Sequence, residues 1–528
     1  MTTEQIIILV VFIVYLAVMI TIGCVFSRKK MSNAEYVLGG RQLNPWVAAM
    51  SAQASDMSGW LLQGLPGKAC TIAIIVGGIG YATGACKSAI FIAIGLLVGT
   101  LLNWIFTARR LRVYTEVASN SLTVSSYLSN RFKDDKRLIS FIAAIVMCIF
   151  FTVYAASMFA ASAKLFNVVF GLDYTLGLVI GVITIAAYVV LGGFLAVSWT
   201  DLIQGVLMFF TLIILPIVCI ANLSGDATMM SQVGDILAST FSFGFEENFG
   251  GMEIVNGLAW GLGYFGMPHI LVRFMGIKSD KQVKPAATIA MIWVFITLFA
   301  AVVTGIIGAV YLGQIGTGAD ETILVKLIQS LLSSNWATVI VAGILLSAVL
   351  AAIMSTADSQ LLVASTSFST DIYGEIKKRV TGKPVSDGEL VWVGRIVVGV
   401  LAIIGFVVAL DPSSSVFDLV EFAWGGLGAA FGPVVLFSLY SKKLNKYGAI
   451  WSIVTGAVVS LVGFILRYYL GIFPIYEIIP GFAIATIVLF VVSALTERFV
   501  PSKDREAMDR EYDTMLSIIN KKDDVIAK

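Results

Sequence analysis

Two short stretches set oxygen-bearing side chains where a cation could be held. SAQASDMSGW, residues 51–60, puts Asp56 among Ser51, Ser55, Ser58 and Gly59 inside an otherwise apolar run. AAIMSTADSQ, residues 351–360, does the same with Ser355, Thr356, Asp358 and Ser359. Pro45 precedes the first stretch and Gly64-Leu65-Pro66-Gly67 follows it. Serine and glycine are weak helix formers, so the segment is predicted to unwind and free backbone carbonyls. Such carbonyls and hydroxyls are hard oxygen donors, suited to sodium rather than to a soft metal. In the second stretch Ala352, Ser355, Thr356 and Ser359 follow i, i+3, i+4, i+7 and share one helix face, able to complete a cation site. Plainer readings stand beside both: small residues that let helices pack closely, and mid-helix hydroxyls bonded back to the i−4 carbonyl.

A third stretch, GLAWGLGYFGMP at 257–268, places four glycines and Pro268 among Trp260, Tyr264 and Phe265. It reads as a second broken helix, with Trp260 and Tyr264 on one face. Aromatic walls of this kind suit a small ring-bearing or aliphatic solute.

The elements that must carry these groups are membrane spans. Of the 528 residues 58% are hydrophobic and 13% charged, against roughly 45–50% and 25% in soluble domains. A formal charge of +2 without a basic domain gives no footing for nucleic acid. The first apolar segment, 5–27, is too long for a signal-peptide core and reads as a retained span. The five cysteines sit in or beside apolar runs, with neither a disulfide framework nor a zinc spacing. Lys87 interrupts a long apolar stretch and is expected to snorkel or to lie at a loop.

Apolar runs of about 20 residues recur at 5–27, 43–66, 80–107, 137–165, 173–193, 196–222, 250–272, 286–313, 336–369, 390–410, 416–440, 447–470 and 475–498. The reading is an all-α polytopic membrane protein with about 13 transmembrane helices over 1–498. With the N-terminus outside, alternate connections carry the basic clusters, including Arg28-Lys29-Lys30, Arg109 to Arg112 and Lys377 to Arg379. The intervening ones, such as 226–248, are acidic or neutral. This places the tail, 499–528, in the cytoplasm. Met508, Tyr512, Met515 and Ile518 give the tail one apolar helix face, and 121–132 is expected along the inner surface. The two interrupted helices open matching five-span halves, 43–222 and 250–440, of opposite orientation. An inverted repeat with a broken helix in each half points to a transporter site at the midplane. The segments 5–27 and 447–498 are then one extra helix before the repeats and two after them.

Ionisable residues in spans need partners and mark function; here they are Asp56, Asp201, Asp358 and Glu421, with His269 near a span end. One histidine, no metal cluster and no P-loop (GLPGKA lacks the spacing) argue against an enzyme or ATP-driven pump, and no cofactor is expected. GLGYFG only superficially echoes a channel filter. A sensor that binds sodium and solute without moving them stays open.

The chain resembles the sodium/solute symporter family from its first span to about Leu495. The resemblance is carried by LGGRQLNPWVAAMSAQASDMSGWLLQGLPG, RLRVYTE, GGFLAVSWTD, GLGYFGMPHILVRFM, ILLSAVLAAIMSTADSQLLV, ELVWVGR and AFGPVVLFS. It implies a leucine-transporter-type 5+5 core in a cell membrane, with Na+ as the coupling ion and L-proline or a similar small solute as cargo. It implies a sodium site of Ala54, Met57 and Ala352 backbone oxygens with the Ser355 and Thr356 hydroxyls. Coupling is assigned to Asp56, Ser58, Gly59 and Arg41, and the solute pocket to Trp60, Tyr154, Trp260, Tyr264 and Pro268. Asp201, Asp358 and Ser359 resemble a second sodium site of some members. Met267, Glu421 and the longer 68–102 region depart from the family pattern. Oligomeric state is not legible.

Overall fold

The computed structural model describes residues 1–27, 32–70, 83–191, 193–240, 250–313 and 320–520. The basic triplet at 28–30, the glycine-rich 71–82, residues 241–248 of the acidic connection and the end of the tail lie outside the described residues. All regular elements among the described residues are helices, and the one β-bridge, Leu43 to Ile277, is isolated. Among the described residues ten helices are long and apolar enough to cross a membrane. In lipid every backbone polar group must bond internally, which a helix does within its own segment.

The first helix, α1 (Thr3–Ser27), shows how the rest are built. It turns Ile6, Val10, Ile13 and Val14 outward and buries Ile8, Phe12, Tyr15 and Met19. Next come α2 (Pro45–Asp56) and α3 (Leu65–Cys70), two parts of one interrupted helix, then α4 (Leu138–Phe170) and α5 (Phe194–Leu223). A second interrupted helix consists of α6 (Gly251–Ala259), a tight 3₁₀ stretch (Trp260–Gly266) and α7 (Pro268–Gly276). There follow α8 (Val283–Leu312), α9 (Trp336–Ser367), α10 (Val416–Ser438), α11 (Lys446–Phe464), α12 (Ile478–Leu495) and the tail helix α13 (Ser502–Asn520). α9 is the central pillar, buried without interruption from Leu345 to Ser367 and packed on α1, α4 and α5. Both breaks fall where the sequence predicts them.

Four expectations change. Lys87 stands in the first turns of the helix Thr83–Asn103 and is buried, so it neither snorkels nor marks a loop. The segment Val124–Arg131 is sunk among neighbouring helices, because its polar groups find partners there: Ser125 on Asp371, Tyr127 on Ser438. The connection after α5 is not simply a polar loop. Ala227–Thr240 is helical and packs on α8, burying Val233 and Ile236. In α13 the buried residues are Met508, Tyr512, Met515 and Ile519; Ile518 faces outward, since 515 to 519 keeps the four-residue step.

Candidate functional site

The first break forms because α2 cannot continue past Asp56. Met57 leaves helical geometry at φ −78°, ψ 71°. The Ser58 N–H turns back to Asp56 O at 2.9 Å. Ser58 Oγ then accepts the Trp60 N–H at 3.3 Å, restarting the chain direction. A Cβ on Gly59 would lie 3.3 Å from both Ala161 and Ile353, so the break is wedged between α4 and α9.

Freed carbonyls meet hydroxyls at this point. Ser355 Oγ lies 2.7 Å from Ala54 O and 3.2 Å from Ala352 O, and Thr356 Oγ1 lies 3.4 Å from Ala54 O. Met57 is fully buried at the same break. Four of the five residues expected to hold sodium thus converge through uncharged oxygen atoms, the donor set of a small hard cation.

Asp56 connects this cluster to the aromatic residues. It is fully buried; its Oδ2 accepts the Tyr264 hydroxyl at 2.6 Å, and its Oδ1 has no hydrogen-bond partner among the described residues. The Trp60 indole donates to the Asp56 carbonyl at 3.0 Å, and its ring centre lies 6.3 Å from that of Trp260. Trp260 and Tyr264 both pack on Trp424, at 6.2 and 5.1 Å, and the Trp424 indole donates to Trp260 O. Tyr154 meets His269 edge-on at 6.3 Å, and Pro268 starts α7 directly after the break at Met267.

Sequence reasoning missed three members of this aromatic group: Phe417 and Tyr476, at 5.0 and 5.6 Å from Trp260, and Trp424. They come from α10 and from the turn before α12, far from either broken helix in sequence. Glu421 takes no part in the pocket. Its carboxylate accepts Arg467 at 2.9 Å, Arg467 also binds Glu477, and the Tyr476 hydroxyl donates to Glu421 O. The helices after α10 thereby brace the aromatic group. Also missed were Gly95 and Gly99, whose backbones touch those of Gly257 and Gly261. The glycine-x-x-x-glycine spacing in both helices was the available signal.

Arg41 lies elsewhere. It donates to Met275 O at 2.7 Å, Thr115 Oγ1 and Ser121 O at 3.0 Å, and Asn120 Oδ1 at 3.2 Å. The neighbouring Leu43 N–H reaches Gly276 O at 3.1 Å, and the Lys278 N–H reaches Leu43 O at 3.0 Å. Arg41 and Leu43 therefore latch the start of one broken helix to the end of the other, at the basic end of the bundle. Arg41→Ala is expected to lower maximal transport several-fold while leaving the sodium concentration for half-activation within about twofold, since no ligand is touched. A sodium titration that moved by tenfold or more would instead return Arg41 to the coupling machinery.

The opposite end has its own latch. Glu321 is buried and accepts Lys164 Nζ at 2.6 Å, Ser415 Oγ at 3.0 Å and the N–H groups of Val416 and Phe417 at 3.1 and 2.9 Å, capping α10. Phe417 is the residue that packs on Trp260, so the latch reaches the aromatic wall. Burial alone would raise the Glu321 pKa, but Lys164 and the two N–H groups outweigh it and hold the carboxyl below its ordinary value. A depressed carboxylate contributes while ionised. The latch is therefore whole above the usual value of about 4.3 and weakens as pH falls from there toward the lowered one. Glu321→Gln is expected to raise the labelling rate of a cysteine placed at Phe417 several-fold at neutral pH. An unchanged rate would show that the latch does not hold this end shut.

Asp201, Asp358 and Ser359 come together, fully buried, with two further residues among them. Asp201 Oδ2 accepts Ser51 Oγ at 2.6 Å and Arg273 Nη2 at 3.2 Å. Arg273 also donates to Ser359 Oγ and, through Nε, to Ser51 Oγ at 3.1 Å. Neither Asp201 nor Asp358 approaches the Ala54–Ser355 oxygens through a hydrogen bond.

The sodium:solute symporter family profile matches residues 36–456. The osmoregulated proline transporter OpuE of Bacillus subtilis (strain 168) is 38% identical over 96% of this chain and 98% of that protein. The high-affinity proline transporter PutP of the same strain is 42% identical over 93% and 98%. The sodium/proline symporter of Escherichia coli (strain K12) is 41% identical over 92% and 93%. Among solved structures, a sodium-coupled sialic acid symporter in a substrate-bound outward-open state superposes with a TM-score of 0.73 at 19% identity, over 93% of this chain and 98% of that one. With two interrupted helices, a converged oxygen cluster and this coverage, the chain belongs to the sodium:solute symporter family.

Proposed function

We propose that the protein imports L-proline with sodium by alternating access. The observation that carries the reading is the Tyr264 hydroxyl bonded to Asp56 Oδ2 at 2.6 Å. It joins the helix break that frees the Ala54 carbonyl to the wall of the aromatic pocket. Sodium bound at Ala54, Met57, Ala352, Ser355 and Thr356 fixes the break, hence Asp56, hence Tyr264. Coupling needs only that sodium favour the conformation that binds solute well. Trp60, Tyr154, Trp260 and Pro268 complete the walls, and N–H groups near the break receive the solute carboxylate.

We read thirteen crossings arranged as a 5+5 inverted repeat with one helix before and two after; the ten long spans among the described residues, the shorter apolar helix after α4 and the two interrupted helices support this reading. The basic end is cytoplasmic by the positive-inside rule, which puts the N-terminus outside and α13 inside. The similarity to proteins named as proline transporters supports proline over other small solutes.

The test is labelled L-proline uptake into vesicles holding the purified protein, under an inward sodium gradient and with potassium in its place. Sodium-dependent accumulation, competed by unlabelled proline, is the expected result. Accumulation indifferent to sodium would overturn the coupling. Binding without accumulation would make the protein a sensor.

A further inference from the structure

Lys68 is the one basic residue between Pro45 and Cys70, the two ends of the first interrupted helix, and the sodium-coupled mechanism gives it no task. It stands on α3 at the Glu321 end of the bundle, where both residues border one polar cavity of about 100 Å³. That is room for several water molecules or one small solute. Lys164, Ser415 and Phe417 complete the walls that matter here. The Lys68 side chain is 44% exposed, and its ion pair with Asp418, at 3.8 Å, is longer than a hydrogen bond. Its ammonium rests over the Phe417 ring, 4.7 Å from the ring centre. Phe417 is itself buried and packs on Trp260 at 5.0 Å. One ring therefore separates the cavity from the aromatic group.

We propose that this cavity is an entry subsite for an amino-acid zwitterion, which pauses there with its carboxylate on Lys68 Nζ and its ammonium on Asp418 before it passes Phe417. The inference rests on the proposed transport of proline and adds the place where the solute is first received. The charges of the cavity decide the ligand class. Lys164 and Glu321 meet at 2.6 Å, and Ser415 with two backbone N–H groups completes the shell of Glu321. That pair is satisfied within the protein and offers a solute little. Lys68 and Asp418 are the opposite case, both partly exposed and held only by a long, weak contact. A lone anion there would meet Asp418, and a lone cation would meet Lys68. A molecule that carries both charges a few bonds apart parts the pair and satisfies each end. A charge-assisted bond to a carboxylate is stronger than a cation resting on an exposed ring. Docking therefore draws Lys68 away from Phe417, the ring that the solute must then pass.

The experiment is stopped-flow tryptophan fluorescence of the purified protein in lipid nanodiscs, mixed with L-proline at saturating sodium. A subsite that lies on the way in but is empty in the final complex changes association and dissociation alike and leaves the equilibrium unaltered. Lys68→Gln is therefore expected to slow both rates about fivefold, with affinity within about twofold of native. Lys68→Arg, which keeps the charge, is expected to match the native chain. Raising potassium chloride about tenfold at fixed sodium should slow association several-fold in the native chain and barely in Lys68→Gln. An affinity lowered about tenfold or more in Lys68→Gln would place Lys68 in the final complex, and unaltered rates would make it an idle surface residue. Either result overturns the inference and leaves the proposed function standing. No proline bound by the native chain would overturn the proposed function and the inference together.

Discussion

Asp56→Ala is expected to insert and fold, to retain solute binding at high concentration, and to lose sodium-driven accumulation by about 100-fold, toward the upper end of site-to-site coupling. Among the described residues the carboxylate has no salt-bridge partner. Its one side-chain bond is from Tyr264, and its backbone carbonyl is taken by Ser58 N–H and the Trp60 indole. An ionised carboxylate in a bilayer interior costs about 3 kcal/mol, and one hydrogen bond offsets only part of that. In the proposed mechanism the remainder is relieved when a cation comes to rest beside it, and removing the charge removes both the attraction for sodium and the handle by which sodium would move Tyr264. Tyr264→Phe should separate the two effects: sodium binding survives, but sodium no longer sharpens the affinity for solute. The measurement is solute affinity at low and high sodium in each variant. An inserted Asp56→Ala protein whose solute affinity still rose with sodium as in the native chain would sink the assignment.

The sequence was most legible where local chemistry conflicts with membrane burial. Serines and glycines around Asp56, and glycines around Trp260, were read as broken helices at membrane depth ahead of simple close packing, and both breaks are found. The i, i+3, i+4, i+7 pattern from Ala352 to Ser359 also survives. Its members divide, however: Ala352, Ser355 and Thr356 face Ala54, while Ser359 faces Arg273. A helical face says which residues point the same way, not which neighbour each one meets. Phe417, Trp424 and Tyr476 were illegible for the same reason, because three-dimensional closure brings them to Trp260 from more than 150 residues away in sequence. Glu421 looked like a pocket substitution and is a brace, since Arg467 reaches it from a later helix. Arg41 could be placed by resemblance, but its bonds to Met275 and Ser121 carbonyls show a latch that no local pattern encodes.

The second large effect is steric. Gly261→Val is expected to reduce proline uptake by more than tenfold, with solute affinity hurt more than sodium binding. A Cβ on Gly261 would lie 2.4 Å from Gly95 O and 3.2 Å from Gly99 Cα, and one on Gly99 would lie 2.4 Å from Gly261 Cα. Backbone runs against backbone here, so no side-chain rotamer can relieve the clash; the two helices must part by about 1 Å, at a cost of about 1–3 kcal/mol. The residues that move are the tight stretch bearing Trp260 and Tyr264, while the Ala54–Ser355 oxygens sit on other helices. Binding sites tolerate displacements of only about 0.5 Å, so the pocket and the Tyr264–Asp56 bond are expected to fail before the proposed sodium ligands do. The matching control is Gly399→Ala, where nothing lies within 4 Å of the added carbon and uptake should be unchanged. Sodium binding retained in a Gly261→Val protein that has lost solute binding would place the coupling between the two sites at this helix crossing. Native uptake by Gly261→Val would mean that the close contact is dispensable and that the 260–266 stretch is held by its other partners, Trp424, Asn103 and Asp56 among them.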